Sequence, residues 1–362
     1  MKIKAINLYS LKIPLIKEFK TALRTVKTAD ETVVEIISED GKIGYGEAAP
    51  TAVITGDTND SIRGLIKNKI APLLIGEEIE NIERIHFLIE KAAVNNSSAK
   101  AAVEIAVYDL FFFFYNAPLY KLLGGYRDLL TSDLSISVNS PAEMKEDALK
   151  AVQNGYQVLK LKVGKGLEED LKRVRAVREA VGDEIKIRLD ANQGWQAKEA
   201  VYIIQKMEAE NLKIELIEQP VEASDYEALK FVRDNVLTPV MADESLFSAE
   251  DCLRLLKMQA CDLINIKLMK AGGIYNALKI NALAEAQGIE VMLGSMLEGK
   301  ISVTAAAHLV EHNKTITRFY LDAALSRASD PVKGGIKMNG PHISFAAGSG
   351  LGIKEIENLT EL

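Results

Sequence analysis

Lys160 and Lys162 stand two residues apart in Val158-Leu159-Lys160-Leu161-Lys162-Val163, where apolar and charged residues alternate with the period of a β-strand. Alternate side chains of an extended chain share a face, so the two ammonium groups would lie roughly 6–7 Å apart. Charges at that separation repel by about 2–3 kcal/mol at an effective dielectric of about 20. That would push one lysine roughly two pKa units toward neutrality, where it can act as a base. A lone Lys-x-Lys is as readily the polar edge of an ordinary strand, so the decision rests on the residues downstream of it.

Three acids come next, each closing a short apolar run: Asp190 in Arg188-Leu189-Asp190-Ala191-Asn192, Glu218 in Ile217-Glu218-Gln219-Pro220, and Asp243 in Met241-Ala242-Asp243-Glu244-Ser245. On neighbouring strands about 4.8 Å apart these carboxylates would converge and repel unless a cation joined them. An all-oxygen site with room for water and substrate oxygens suits Mg2+ better than zinc, and one ion per subunit is expected. Lys267, in Asn265-Ile266-Lys267-Leu268-Met269-Lys270, would then sit across the site from Lys162. Two such amines on opposite faces of one carbon can remove a proton from one side and return it on the other, inverting the centre. A metal on the adjacent carboxylate would stabilise the enediolate between the two steps.

The elements that must position these groups are a series of strands alternating with helices. Strands are expected at Leu134–Val138, Val158–Val163, Ile185–Asp190, Ile214–Glu218, Pro239–Asp243, Leu263–Leu268, Glu290–Gly294 and Arg318–Asp322, with helical periodicity between them. That alternation is the mark of an α/β fold, a TIM-type (β/α)7-8 barrel, whose chemistry lies at the C-terminal ends of its strands. It occupies residues 121–339. Residues 1–120 read as an α+β N-terminal capping domain. Its strands are Ile3 to Leu15 and a hairpin, Thr32–Ile37 with Lys42–Glu47, turning at Asp40-Gly41. The segments Lys17–Asp30 and Pro50–Asp57 read as loops. Helices follow over Asn81–Ala93 and from Ser97, as N-cap, to Tyr115, with Phe111–Phe114 in a helix–helix core. The Gly-rich tail, from about 340 to 362, is expected to rejoin the capping domain.

Composition narrows the functions open to such a chain. A length of 362 residues accommodates two domains. The net charge of −7 carries no basic block and excludes a nucleic-acid surface. The N-terminus lacks a signal-peptide core, and the apolar run Ile105–Tyr115 is broken by Asp109 and too short to cross a membrane. Cys252 and Cys261, the two cysteines, have no metal or disulfide spacing, as in a reducing cytoplasm. None of the four histidines has catalytic or metal-site spacing.

Together, Lys160-Leu161-Lys162, Asp190-Ala191-Asn192, Glu218-Gln219-Pro220, Asp243-Glu244-Ser245 and Asn265-Ile266-Lys267-Leu268 resemble the enolase superfamily. The match is to its muconate-lactonising subgroup and, within it, the dipeptide epimerases. The resemblance spans essentially the whole chain. It implies that Lys162 and Lys267 exchange the α-proton of the C-terminal residue of a small-molecule dipeptide, with Asp190, Glu218 and Asp243 holding Mg2+ and Lys160 on the substrate carboxylate. It also implies a cytoplasmic homo-oligomer serving peptidoglycan recycling. Phe19-Lys20-Thr21-Ala22-Leu23-Arg24-Thr25 resembles the loop of L-Ala-D/L-Glu epimerases, which places Arg24 on a glutamate side chain as a bidentate partner. Substrate contacts are implied for Ser135, Ser295 and Leu297.

One departure stands out. Where the family carries Asp-x-Asp for the dipeptide ammonium, this chain has Tyr320-Leu321-Asp322. Asp322 keeps one carboxylate, and Tyr320 offers only a hydroxyl or a ring face. An N-acylamino-acid racemase or o-succinylbenzoate synthase, whose substrates lack the ammonium, is therefore the alternative enzyme. A non-catalytic binding barrel is the alternative outside catalysis.

Overall fold

A computed structural model describes residues 1–126 and 130–362. The chain begins with three antiparallel strands, Ile3–Lys20, Thr25–Ser38 and Ile43–Ala48. The terminal pair Thr360–Glu361 adds to the edge of the first strand. The segment read as a loop, Lys17–Asp30, is instead the outer half of a long hairpin. Phe19 pairs with Val26 and Lys20 with Thr25 beyond an irregularity at Pro14, and the Thr21 N–H donates to the Arg24 carbonyl at 3.0 Å. Thr21 Oγ1 also accepts from the Leu23 and Arg24 N–H groups. Cross-strand pairing overrides the polar composition here, because β-structure needs a partner ladder more than an apolar face.

Short helices between Asn59 and Leu74 follow the hairpin sheet, then Ile82–Lys91 and the long Ser97–Phe114. The last begins after Asn96, in left-handed conformation, rather than with Ser97 as its cap. The Ser98 N–H is met from outside by Asp57 Oδ2 at 2.9 Å. Phe112 packs inside while Phe113 and Phe114 are exposed, so the Phe run only partly enters the core. Among the described residues no helix is long and apolar enough to cross a membrane.

The eight barrel strands are Leu134–Ile136, Val158–Lys162, Lys186–Asp190, Ile214–Glu218, Val240–Ala242, Leu263–Lys267, Glu290–Gly294 and Ile316–Tyr320. They lie side by side in that order, parallel throughout. The seam between last and first is closed partly by side chains: Ser132 Oγ accepts from the Leu321 N–H at 2.9 Å, and Asp322 Oδ2 from the Ser135 N–H at 2.7 Å. Outward-facing residues such as Leu159 and Leu161 join the surrounding helices in the main core, as the two-residue period requires. Inside, Leu216, Met241, Leu263, Met292 and Tyr320 form a separate apolar plug. After the eighth strand the chain adds short strands beside Leu130–Thr131 and contacts the helical part at Leu119 before reaching the first sheet.

Candidate active site

The strand register sets the site. Lys162 is paired with Asp190, and Asp190 with Glu218, on adjacent strands. Their side chains therefore turn to the same side at the barrel mouth. Asp190, Glu218 and Asp243 are all buried and each brings an oxygen within 4.8 Å of the others. Lys162 Nζ lies 2.5 Å from Asp190 Oδ2 at one end of this row, and Lys267 Nζ lies 2.6 Å from Asp243 Oδ2 at the other. The two lysines stand on the second and sixth of eight strands, opposite each other across the barrel, and both line one cavity of about 330 Å³.

Lys160 lies deeper, fully buried, with Nζ 2.6 Å from Glu218 and 3.0 Å from Asp190. At Lys160 the charge repulsion expected from the sequence is thus met by two neighbouring carboxylates. Burial works against charge on Lys160, but Asp190 and Glu218 hold its pKa well above the ordinary lysine value. The acids divide. Burial would raise Asp190, yet Lys160 and Lys162 hold it at about 2. Asp243 is driven far down by Lys267 and Lys270 against the same burial cost. Glu218 is raised, by burial and then by its neighbour Asp190. Burial and Asp243 push Glu244 up to about 8.

Several residues around the row had no role assigned from sequence. Asn265 Nδ2 donates to Glu218 Oε1 at 2.8 Å, and Asn192 Nδ2 donates to Glu244 Oε1 at 3.0 Å. Gln219 Oε1 accepts from the Asp243 and Ser245 N–H groups. Lys270 Nζ is bound to Asp243 Oδ1 at 2.5 Å and to the Asn265 carbonyl at 3.1 Å. Asn265 was findable, since it shares its strand face with Lys267 by the same alternation that relates Lys160 to Lys162. Lys270 leaves no such mark, because it lies in the short helix Leu268–Ala271 beyond the strand.

The remaining candidates surround the cavity. Arg24, at the tip of the long hairpin, lines it together with Ser135, Ser295, Leu297 and Asp322. The Arg24 guanidinium donates to the Pro50 carbonyl and to Thr51 Oγ1, both at 3.4 Å. Among the described residues no carboxylate pairs with it. Ser295 Oγ is buried and finds no hydrogen-bond partner among the described residues. Tyr320 touches the cavity but turns its ring into the barrel plug. One ring face is taken by Lys160 Nζ, 3.6 Å from the centroid, and the hydroxyl is 3.4 Å from Asn265 Nδ2.

Residues 6–124 match the mandelate racemase/muconate lactonizing enzyme N-terminal domain, and residues 143–358 match the enolase C-terminal domain-like family. An L-Ala-D/L-Glu epimerase of Clostridium acetobutylicum is 52% identical over 99% of this chain and 100% of its own. The substrate-liganded L-Ala-D/L-Glu epimerase of Bacillus subtilis superposes with a TM-score of 0.97 at 49% identity, covering 98% of this chain and 99% of that one. The dipeptide epimerase of Enterococcus faecalis, complexed with Mg and L-Leu-L-Tyr, gives a TM-score of 0.95 at 45% identity over 98% and 100%. With both halves matched and the relatives covered end to end, the chain belongs to the mandelate racemase/muconate lactonizing enzyme family of the enolase superfamily.

Proposed function

We propose that this protein is a magnesium-dependent dipeptide epimerase that inverts the α-carbon of the C-terminal residue, acting on L-Ala-L-Glu and L-Ala-D-Glu. The observation that carries the reading is the placement of Lys162 and Lys267 at the two ends of one carboxylate row, on opposite strands of one cavity. The row itself fits a hard divalent cation: three fully buried carboxylates supply only oxygen donors, and their oxygens converge. Asp190, Glu218 and Asp243 would hold the ion. When bound, it supplies positive charge against the substrate carboxylate and so acidifies the neighbouring carbon.

In this reading Lys160 adds a second cation toward that carboxylate, and its burial excludes water from it. Lys162 takes the α-proton from one face and Lys267 delivers one to the other, the roles exchanging for the opposite enantiomer. Arg24, lacking a carboxylate of its own, would bind the glutamate side chain bidentately. Asp322 would take the ammonium, and Ser295 Oγ would gain a partner it lacks. Cys252 and Cys261, both buried free thiols, agree with a cytoplasmic setting. Incubating the protein with each diastereomer and Mg2+ in heavy water tests this: the C-terminal α-proton should exchange and the diastereomers interconvert. Retention of that proton in both sinks the reading.

Tyr320 favours one second reading. With its ring face occupied by Lys160, Tyr320 leaves Asp322 as the carboxylate that the end of the eighth strand offers a substrate ammonium, and one oxygen of Asp322 is already engaged by the Ser135 N–H. An N-acylated amino acid needs no such partner. Faster turnover of N-acetyl-L-Ala-L-Glu than of L-Ala-L-Glu would decide for a racemase of acylated substrates.

A further inference from the structure

Two glutamates of the first sheet reach into the barrel where the cavity's upper loops begin. Glu47, fully buried on the strand Ile43–Ala48, accepts the Ser302 N–H at 3.0 Å on Oε2. Ser302 lies in the first turn of the helix Lys300–His312, where backbone N–H groups lack partners. The Ser302 hydroxyl donates to Glu298 Oε2, and Glu298 Oε1 accepts the Met296 N–H at 2.6 Å. Met296 lies between Ser295 and Leu297, so the connection ends at two residues that line the cavity.

Glu31 makes a second connection beside the first. Buried on the strand Thr25–Ser38, it accepts from Arg327 Nη2 on Oε1. Arg327 Nη1 donates to the Ala323 carbonyl at 2.7 Å, next to Asp322. The two connections meet at Gly299, where an added Cβ would lie 1.8 Å from Glu47 Oε1 and 2.8 Å from Glu31 Oε2. No larger residue fits there without parting the carboxylates. Glu31 stands on the same strand pair whose tip presents Arg24.

We infer that Glu31 and Glu47 are positioning residues that fix the loops after the seventh and eighth barrel strands relative to the Arg24 hairpin, and so set which dipeptides fit between them. The inference rests on the proposed function for where the dipeptide lies. Lys162, Asp190, Glu218 and Lys267 sit on the strands themselves and Asp243 directly follows the fifth strand, all outside both connections. Loss of either glutamate therefore acts on substrate fit and leaves proton transfer largely in place.

The test compares Glu31→Ala, Glu47→Asp and Glu47→Gln with the unmodified full-length protein, using L-Ala-L-Glu and Mg2+. Glu31→Ala and Glu47→Asp, which remove or shorten a connection, should raise KM about tenfold with kcat changed less than threefold. Glu47→Gln keeps an acceptor for the Ser302 N–H and should restore KM to within about threefold. Hydrogen–deuterium exchange is read on the same proteins without substrate: segments 295–299 and 321–327 should exchange faster in the first two variants only. Unchanged KM and exchange in Glu31→Ala and Glu47→Asp would overturn the inference, as would a Glu47→Gln variant as impaired as Glu47→Asp. If the unmodified protein turns over no dipeptide, the proposed function fails, and the exchange comparison alone decides the connections.

Discussion

The Lys160 ammonium rests on the Tyr320 ring, 3.6 Å from its centroid, while the same nitrogen lies 2.6 Å from Glu218. A buried cation so placed depends on the ring for part of its stabilisation, about 2 kcal/mol in a desolvated setting. Tyr320→Leu, which still fills the plug, should lower kcat/KM by about 30-fold. Tyr320→Phe keeps the ring and should stay within about threefold of the parent, since the hydroxyl contact with Asn265 is long at 3.4 Å. Steady-state kinetics on the three proteins provide the comparison.

Lys162 and Lys267 should be separable by isotope. Lys267→Met should abolish exchange of the α-proton from one diastereomer while leaving wash-in from the other, and Lys162→Met should show the reverse. Epimerisation should fall by at least about 10²–10⁴ in both, the usual worth of a general acid or base. Proton NMR in heavy water follows each substrate directly.

Magnesium should stabilise the fold through Asp190, Glu218 and Asp243. A ligand that binds only the folded state at 100 times its Kd adds about 2.7 kcal/mol, so the thermal midpoint should rise with Mg2+ and return with chelator. Asp243→Asn should abolish that shift. Scanning calorimetry with and without the ion measures it, and an unchanged shift in Asp243→Asn would remove this carboxylate from the site.

Arg24→Met should separate acidic from apolar substrates. Charge-assisted hydrogen bonds are worth about 1.5–3 kcal/mol, so kcat/KM for L-Ala-L-Glu should drop roughly 10- to 100-fold. Turnover of a dipeptide ending in an apolar residue should hold or improve. Equal losses on both substrates would contradict a specificity role for Arg24.

Acid should expose His308. Its ring lies buried between Tyr120 and Phe345, Nδ1 accepts the Tyr120 N–H at 3.2 Å, and burial pushes its pKa down to about 3. The folded state thus keeps the ring neutral, while the unfolded chain gains a proton below about pH 6.5. The stability held above that pH is lost as pH falls toward 3, by about 1.4 kcal/mol per unit. Urea titrations at pH 7 and pH 5 should therefore differ by about 2 kcal/mol less in His308→Gln than in the parent.

The barrel and its acids were legible because two simple periods mark them: apolar runs at strand spacing, each ending in a carboxylate. Lys162 and Lys267 followed from the same alternation. The Arg24 hairpin was not legible, since a ladder between two polar strands leaves no apolar rhythm in either. Nor was the inward turn of Tyr320. Its ring occupies the space beside Gly294, where a Cβ would come within 2.3 Å of it. That fit between register neighbours exists only once the strands are paired. Glu31 and Glu47 look like ordinary polar strand residues until the barrel helix arrives above them.

Lys162, Asp190 and Glu218 occupy one rung of the barrel ladder, and Lys267, Gly294 and Tyr320 share another. A slip of one residue in either would send every inward group of the slipped strand outward together. Misfolded chains should therefore be wholly dead rather than slow. The specific activity of a preparation would then count its correctly assembled molecules, with no intermediate grade of enzyme to blur the tally.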